Sequence, residues 1–191
     1  MKKGLLIILS GPSGVGKNCV RQEIMKSGKL YLNYSISMTT REKREKEIDG
    51  VDYYFVSEEE FQKNIDKGNF LEWATFVGHR YGTPKDKVEE LRNRGKNVFL
   101  EIEINGAKQV LSQVHDDRVI SFFLMPPSLS ALEKRIRKRK TESEEIIQER
   151  LQKGLKEMTM TENYDHIVIN DKVSRAAQEI IDIIKAKLKK R

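Results

Sequence analysis

The sequence predicts an α/β fold of three layers, in which a parallel sheet lies between helices. Residues Leu5 to Leu9 form a short apolar run bounded by turn residues, as expected for a strand buried on both faces. A glycine-rich turn, Gly11 to Gly16, follows at once, and Lys17 to about Lys26 is predicted to be a helix. Strand, glycine turn and helix in this order are typical of the start of a parallel α/β sheet.

Strands and helices alternate again in the second half of the chain, which is the third observation behind this fold class. Ser128 after two prolines and Thr141-x-x-Glu144 are helix-start signals. The predicted helices cover Lys85 to Arg94, the stretch after Asn105-Gly106, Ser128 to near Arg139, Thr141 to Met158 and Val173 to Leu188; the predicted strands cover Val98 to Ile104, Val119 to Met125 and His166 to Ile169.

The intervening stretch has a different, strand-rich character, which predicts an inserted subdomain of mixed α and β structure. Ser57-Glu58-Glu59-Glu60 is a capping box that starts a short helix ending near Gly68. The other elements predicted here are strands over Tyr34 to Thr40, Tyr53 to Val56 and Phe70 to Val77, and a charged loop over Arg41 to Gly50.

Composition limits the classes of protein to consider. A chain of 191 residues suits one compact domain, and no segment is apolar for long enough to span a membrane. The lone cysteine, Cys19, excludes an internal disulfide and fits a reducing cytoplasm, the predicted location. The net charge of +7 alone would also suit a nucleic-acid binder, but basic and aromatic residues do not interleave as base stacking requires. We therefore expect no nucleic-acid or membrane partner.

A phosphate-binding loop is the most specific motif. Gly11-Pro12-Ser13-Gly14-Val15-Gly16-Lys17 fits G-x-x-x-x-G-K between a predicted strand and a predicted helix. Glycines let backbone N–H groups converge on a β-phosphate, and Lys17 reaches the β- and γ-phosphates while the helix directs its positive end at the same anion. The alternative, a glycine turn with no ligand, fits this context less well. The motif predicts a P-loop NTPase-type sheet that binds ATP.

The position that normally supplies a magnesium ligand departs from the motif. Asn18 and Cys19 follow Lys17, where a serine or threonine hydroxyl is usual. The Asn18 oxygen could ligate Mg²⁺ or hold one of its waters, since Mg²⁺ usually keeps several waters. A damaged magnesium site is the other interpretation.

Seven segments in order give the chain a resemblance to guanylate kinase over nearly its whole length. The resemblance implies ATP and GMP as substrates, Mg²⁺ as cofactor and no obligate protein partner. It also implies a core of residues 1–34, 84–139 and 151–191, a GMP-binding insertion of residues 35–83 and a lid of residues 140–150. The segments are Gly11 to Lys17, Ser37-Met38-Thr39-Thr40-Arg41, Gly50-Val51-Asp52-Tyr53-Tyr54-Phe55, Phe70-Leu71-Glu72-Trp73-Ala74, Tyr81-Gly82-Thr83, Glu101-Ile102-Glu103-Ile104-Asn105-Gly106 and Ile169-Asn170-Asp171.

Binding of the acceptor phosphate is assigned to the charged loop over Arg41 to Gly50. Arg41 and Arg44 are three residues apart, and their planar guanidinium groups suit the oxygens of one phosphate. The resemblance adds hydroxyls from Tyr53 and Tyr81. Taken alone, the same run of charges is more typical of a solvated loop with surface tyrosines.

Recognition of guanine is assigned to three side chains of the insertion. Glu72 lies between apolar Leu71 and Trp73, so its carboxylate either faces solvent or accepts hydrogen bonds. In the family this carboxylate accepts from guanine N–H donors, and adenine would leave it unpaired. By resemblance, Ser37 and Thr83 give hydroxyls to the base edge.

Other charged groups are assigned around the reacting phosphates. Glu101 and Glu103 are predicted to share one face at the carboxyl end of a strand, where α/β ligands bind, although lysines covering that face would explain them equally. By resemblance they contact guanine or organise magnesium waters. The resemblance also places Arg139 and Arg150 on the transferring phosphoryl group and Asn170 beside adenine, and solvated helix surface is the alternative for each arginine.

Together these assignments predict a kinase that converts ATP and GMP to ADP and GDP, accepts dGMP and serves purine nucleotide metabolism. Catalysis would rest on alignment and charge neutralisation, since a phosphate oxygen needs no general base. Two rivals remain: a kinase for AMP or dTMP, and a scaffold module that binds without catalysis. The second is favoured only by Asn18 and Cys19, and we expect a single catalytic unit instead.

Overall fold

The computed structural model describes residues 2–138 and 143–189 and confirms the predicted α/β class. Nine strands and seven helices lie in the described ranges. In chain order they are β1 (Leu6–Ser10), α1 (Lys17–Lys26), β2 (Leu32–Tyr34), β3 (Met38–Thr39), β4 (Tyr54–Phe55), α2 (Glu58–Asp66), β5 (Phe70–Phe76), β6 (His79–Pro84), α3 (Lys85–Asn93), β7 (Asn97–Glu101), α4 (Ile104–Gln113), β8 (Val119–Met125), α5 (Leu129–Arg137), α6 (Glu144–Glu157), β9 (His166–Ile169) and α7 (Val173–Lys189).

The central sheet has five parallel strands in the order β2-β7-β1-β8-β9. Strand β1 lies in the middle, and all five of its residues are buried. Successive side chains of a strand point to opposite faces, so β1 contributes to two separate cores. Ile7 packs on the side of α1 and α7, whereas Leu6 and Ile8 pack on the side of α3 and α4. The result is the predicted three-layer arrangement, with the loop after β1 emerging at the centre of the sheet.

A second, mixed sheet of four strands has the order β4-β3-β6-β5. Its β3–β4 pair is parallel and its other pairs are antiparallel. Contacts of two kinds join this sheet to the core. Leu71 of β5 packs with Leu6 and Ile8, and the Gln109 side chain of α4 exchanges two hydrogen bonds of 3.1 Å with the Trp73 backbone. Helix α4 therefore supports β5, the strand that carries Glu72.

The structure corrects several predicted bounds in this region. The single strand predicted over Tyr34 to Thr40 is two strands in different sheets, because the chain leaves the central sheet after Tyr34 and enters the mixed sheet at Met38. Strand β6 was not predicted, since Gly82 and Pro84 are typical of breaks rather than strands.

The strand predicted over Val98 to Ile104 ends at Glu101 instead. Glu103 is the N-cap residue of α4, so Glu101 and Glu103 do not share a strand face as expected. The physical reason is that the helix begins at Ile104. Because Ile104 is apolar and buried, its position in the sequence resembles the end of an apolar strand.

Helices α5 and α6 pack on each other through Leu132, Ile136 and Ile147. Ser128 caps α5 as predicted, accepting a hydrogen bond of 3.0 Å from the Ala131 N–H. Thr141, the predicted cap of α6, lies outside the described residues, and the N-cap of this helix is Ser143. No helix in the described ranges is long and apolar enough to cross a membrane.

Candidate active site

The phosphate loop connects the carboxyl end of β1 to the first turn of α1. Gly11 cannot be replaced without movement, because its φ is +147° and a Cβ there would lie 2.3 Å from the Leu124 carbonyl oxygen. The Lys17 side chain is 9% exposed, and its Nζ donates to the carbonyl oxygens of Gly11 at 2.7 Å and Pro12 at 3.3 Å. The loop carbonyls thus hold the Lys17 ammonium group at the position where the motif is expected to bind phosphate.

Asn170 and Arg135 support the loop from behind. Asn170 is 2% exposed, and its Nδ2 donates to the Val15 carbonyl oxygen at 2.8 Å. Arg135 donates to the same oxygen at 3.0 Å and to the Asn170 carbonyl oxygen at 2.5 Å. The Asn170 Oδ1 is buried and has no hydrogen-bond partner among the described residues. Buried acceptors are normally satisfied, so this oxygen is suited to a donor group on a ligand.

Helix α6 holds the tip of the loop with two side chains of opposite charge. Arg150 Nη2 donates to Ser13 Oγ at 3.1 Å, and the Ser13 N–H donates to Glu157 Oε2 at 3.2 Å. Glu157 is 8% exposed, and the Lys153 ammonium lies 3.6 Å from its other oxygen. Sequence reasoning missed Glu157, although its seven-residue spacing from Arg150 places both side chains on one face of the helix.

The residues assigned to the acceptor phosphate cluster on the mixed sheet. The Arg41 guanidinium lies 5.4 Å from the Tyr53 ring centre, and the Tyr53 and Tyr81 rings are 6.0 Å apart. Arg41 donates to both oxygens of Glu47, at 3.0 and 2.8 Å, and the Arg44 N–H donates to Glu47 at 2.9 Å. These hydrogen bonds, Arg41 first, lower the pKa of the Glu47 carboxyl.

Glu47 was not predicted as a site residue, although it follows Arg44 by three residues in the charged loop. Its contacts fix the Arg41 side chain beside the tyrosines, while Arg44 itself is exposed. The structure therefore brings Arg41, Tyr53 and Tyr81 together and leaves the Arg44 guanidinium at the rim.

The residues assigned to guanine lie on neighbouring strands. Glu72 pairs with Thr83 across β5 and β6, and the Thr83 hydroxyl donates to Glu72 Oε1 at 2.5 Å. Met38 pairs with Gly82, and Ser37 is the residue that directly precedes Met38 and β3. Burial raises the pKa of the Glu72 carboxyl, against the hydrogen bonds from Thr83, which lower it. The half-buried Glu72 carboxylate therefore has the Thr83 hydroxyl as its partner, and Ser37 belongs to the segment that enters the neighbouring strand.

The start of α4 lies between the donor and acceptor sides. Glu103, its N-cap residue, places a carboxylate oxygen 3.5 Å from Lys17 Nζ. One helical turn further, a Cβ on Gly106 would lie 2.9 Å from Glu72 Oε2. The phosphate loop and the Glu72 carboxylate therefore both adjoin one short segment, the start of α4.

Arg21 of α1 joins Asn18 to Glu101. Its Nε donates to Glu101 Oε2 at 2.6 Å, its Nη2 donates to Asn18 Oδ1 at 2.5 Å, and its guanidinium lies 4.4 Å from the Tyr34 ring centre. The Asn18 oxygen proposed as a magnesium ligand is thus engaged by an arginine. Sequence reasoning missed Arg21, whose only signal was its three-residue spacing from Asn18 on the helix.

In this structure the Asn18 side-chain oxygen accepts a hydrogen bond from Arg21 rather than standing free. The Cys19 thiol is exposed, and thiols are soft ligands that Mg²⁺ does not favour. No group of three or more His, Cys, Asp or Glu side chains in the described ranges could hold a metal ion. Arg139, the other predicted catalytic arginine, lies outside the described residues.

The fold and the site define a class of protein. A phosphate loop after the central strand of a parallel sheet is the arrangement of a P-loop nucleotide-binding protein. The sequence model described as guanylate kinase matches residues 3–187. The chain belongs to the guanylate kinase family.

Individual relatives agree with this assignment. A guanylate kinase of Mesoplasma florum is 52% identical over 95% of this chain and 61% of its own length. A guanylate kinase of Enterococcus faecalis is 51% identical over 96% of this chain and 89% of its own length. The crystal structure of guanylate kinase from Anaplasma phagocytophilum has a TM-score of 0.74 and 30% identity, covering 99% of this chain and 88% of that one. The chain spans about 61% of the length of the Mesoplasma relative.

Proposed function

We propose that this protein transfers the γ-phosphoryl group of ATP to GMP, giving ADP and GDP. The observation that supports the proposal is the link through α4: Glu103 lies 3.5 Å from Lys17, and Gly106 adjoins the Glu72 carboxylate. A phosphate loop and a carboxylate able to accept guanine N–H donors thus both adjoin the start of α4. The proposed setting is the cytoplasm and purine nucleotide metabolism, with no nucleic acid and no obligate protein partner.

Recognition of GMP would combine a base and a phosphate. Glu72 accepts from the guanine N–H donors, while Thr83 and Ser37 present hydroxyls to the same edge. Arg41, with Tyr53 and Tyr81 beside it, receives the phosphate, and Arg44 closes from the rim. None of these side chains is assigned to the 2′-hydroxyl of the ribose, so dGMP is proposed as a second acceptor.

Catalysis would consist of alignment and charge neutralisation. An oxygen of the GMP phosphate attacks the γ-phosphorus in line, and the bond to the β-γ bridging oxygen breaks as ADP leaves. Lys17 and Arg150 neutralise the charge on the donor side, and Arg41 does so on the acceptor side. Arg139 is proposed for the transferring group on the family pattern alone. The attacking oxygen is already anionic, so no side chain is required as a general base.

Magnesium is proposed to arrive with ATP, held by the phosphates and by water. When bound it would neutralise phosphate charge. The Asn18 oxygen is not proposed as its ligand, because Arg21 already donates to it. Asn170, whose buried Oδ1 has no partner in the described ranges, is proposed to accept from the exocyclic amino group of adenine.

A binding module without catalysis is the second candidate, and the Asn18-Cys19 pair is the observation that favours it. Retention of Lys17 at 9% exposure, in contact with the loop carbonyls, argues for catalysis. The rival acceptors AMP and dTMP lack the guanine donor pair that Glu72 requires. A coupled assay for ADP release, run with GMP, dGMP, AMP and dTMP, separates these candidates.

Replacement of Lys17 by methionine tests the donor site. We expect Lys17→Met to lower kcat by about a thousandfold or more, since it removes a charge that acts on the transition state. The affinity for GMP, measured by calorimetry, should stay within about threefold of the wild type, because Lys17 contacts Gly11, Pro12 and Glu103 rather than Arg41 or Glu72. Lys26→Met, at the exposed far end of the same helix, is the matched control. Turnover of Lys17→Met at the control rate would contradict the assignment.

A further inference from the structure

Arg21 fixes the orientation of the Asn18 side chain, which occupies the position of the usual magnesium ligand in the motif. Arg21 Nη2 donates to the Asn18 side chain, and arginine carries donors only. The Asn18 atom in this bond must therefore be the oxygen, because an amide nitrogen could not accept it. The remaining polar atom, Nδ2, carries two N–H donors, and Asn18 is exposed, so these donors are open to a ligand.

Arg21 is held firmly enough to impose this orientation. Its side chain is 21% exposed, and it makes an ion pair of 2.6 Å with Glu101, which is 16% exposed. The Tyr34 ring covers the guanidinium at 4.4 Å. An arginine with three partners from three elements has little freedom to release the Asn18 oxygen, since each partner fixes a different part of the planar group.

We propose that Asn18 is a phosphate donor rather than a magnesium ligand, and that Arg21 is the positioning residue that makes it so. Asn18 stands in the first turn of α1, directly after the loop lysine, where the free backbone N–H groups of a helix N-terminus favour an anion. An amide donor there adds to the recognition of the β-phosphate, whereas the hydroxyl of the usual motif serves the metal. The inference rests on the proposed nucleotide site and concerns how that site holds phosphate.

The test compares ADP binding in excess Mg²⁺ and in EDTA. We expect Asn18→Ala to weaken ADP binding about tenfold in EDTA, the loss typical of a hydrogen bond to a charged group. The ratio of the two dissociation constants should stay within about twofold of the wild type, since no metal ligand has been removed. Calorimetric titration measures both constants, and alanine at this exposed helical position is compatible with folding.

Arg21→Gln supplies the second arm. Without the guanidinium the amide is free to turn its oxygen outward, so the same ratio should rise about threefold or more as Asn18 becomes available to the metal. Arg94→Gln, which removes an exposed arginine at the C-cap of α3, is the control and should leave both constants unchanged.

Two results would overturn the inference. In the first, Asn18→Ala binds ADP with the wild-type affinity in EDTA, but Mg²⁺ no longer increases that affinity. This result would identify Asn18 as a metal ligand. In the second, Asn18→Ala leaves both constants unchanged, which removes Asn18 from the site. If the wild-type protein binds no ADP under either condition, the proposed function itself fails, and this result is distinct from the other two.

Discussion

At the scale of single residues, the carboxylate proposed to recognise guanine, Glu72, lowers the stability of the folded protein when it is charged. Its side chain is half-buried, its one strong partner is the Thr83 hydroxyl, and burial raises its pKa. A carboxyl group whose pKa is higher in the folded state than in the unfolded state binds more protons when folded. Stability therefore falls as the pH rises through the interval between the two values.

Replacement of Glu72 by glutamine should remove this dependence. Glu72→Gln keeps an oxygen for Thr83 but loses the charge, so we expect its melting temperature to exceed that of the wild type by more at about pH 8 than at about pH 5. The affinity for GMP should fall by about tenfold or more, because the new N–H₂ group meets guanine donors. Thermal unfolding at several pH values and calorimetry give both readouts, and Glu90→Gln is the exposed control. A pH-independent difference in melting temperature would contradict the burial argument.

At the scale of elements, helix α4 connects the two halves of the site. Its N-cap carboxylate lies 3.5 Å from Lys17, its second turn supports β5 through Gln109, and Gly106 leaves room for Glu72. A glycine inside a helix normally costs about 1 kcal/mol relative to alanine, so its presence here calls for a reason. The reason is steric, since a Cβ would lie 2.9 Å from the Glu72 carboxylate oxygen.

Gly106→Ala separates the stability of α4 from its role in the site. The contacting atom is the end of a flexible side chain, so we expect the protein to keep or slightly raise its free energy of unfolding. The displaced Glu72 carboxylate should raise KM for GMP about fivefold or more while KM for ATP stays near its original value. Steady-state kinetics with each substrate varied in turn make the comparison. Equal changes in the two KM values would indicate a general distortion of the helix instead.

Local signals in the sequence predict the elements better than they predict the contacts between them. The apolar run at β1 and the caps Ser57 and Ser128 are read from neighbouring residues, and the structure has them where predicted. No local pattern predicted strand β6 or the passage of the chain from one sheet to the other after Tyr34. Both depend on pairing with strands that are distant in the sequence.

In the candidate site, too, local motifs could be predicted from the sequence and contacts between distant residues could not. The phosphate loop is contiguous and could be predicted from its spacing. Arg21, Glu47 and Glu157 take their positions from contacts made in the folded protein, and a charged residue on a helix or loop has the same appearance in sequence whether or not it is engaged. The Arg21–Glu101 pair joins residues 80 positions apart, a separation at which sequence spacing carries no information.

At the scale of the whole molecule, substrates should stabilise the fold because the site is assembled from both sheets. A ligand that binds only the folded protein adds about 2.7 kcal/mol at a concentration of 100 times its Kd. We expect GMP to raise the melting temperature by several degrees at millimolar concentration and AMP to raise it far less. Differential scanning calorimetry measures both shifts. Equal shifts from the two nucleotides would remove Glu72 from the discrimination.

The contact between Arg41 and Glu47 has one more consequence. The proposed phosphate site already contains an anion of its own, and that carboxylate carries a single negative charge. If a monoanionic ligand replaced Glu47 as the partner of Arg41, one single negative charge would replace another. A dianionic phosphate carries two negative charges and is therefore a stronger partner for Arg41. The second ionisation of a phosphate monoester lies near pH 6. We therefore expect the proposed site to bind a phosphate monoester less tightly below about pH 6 than above it.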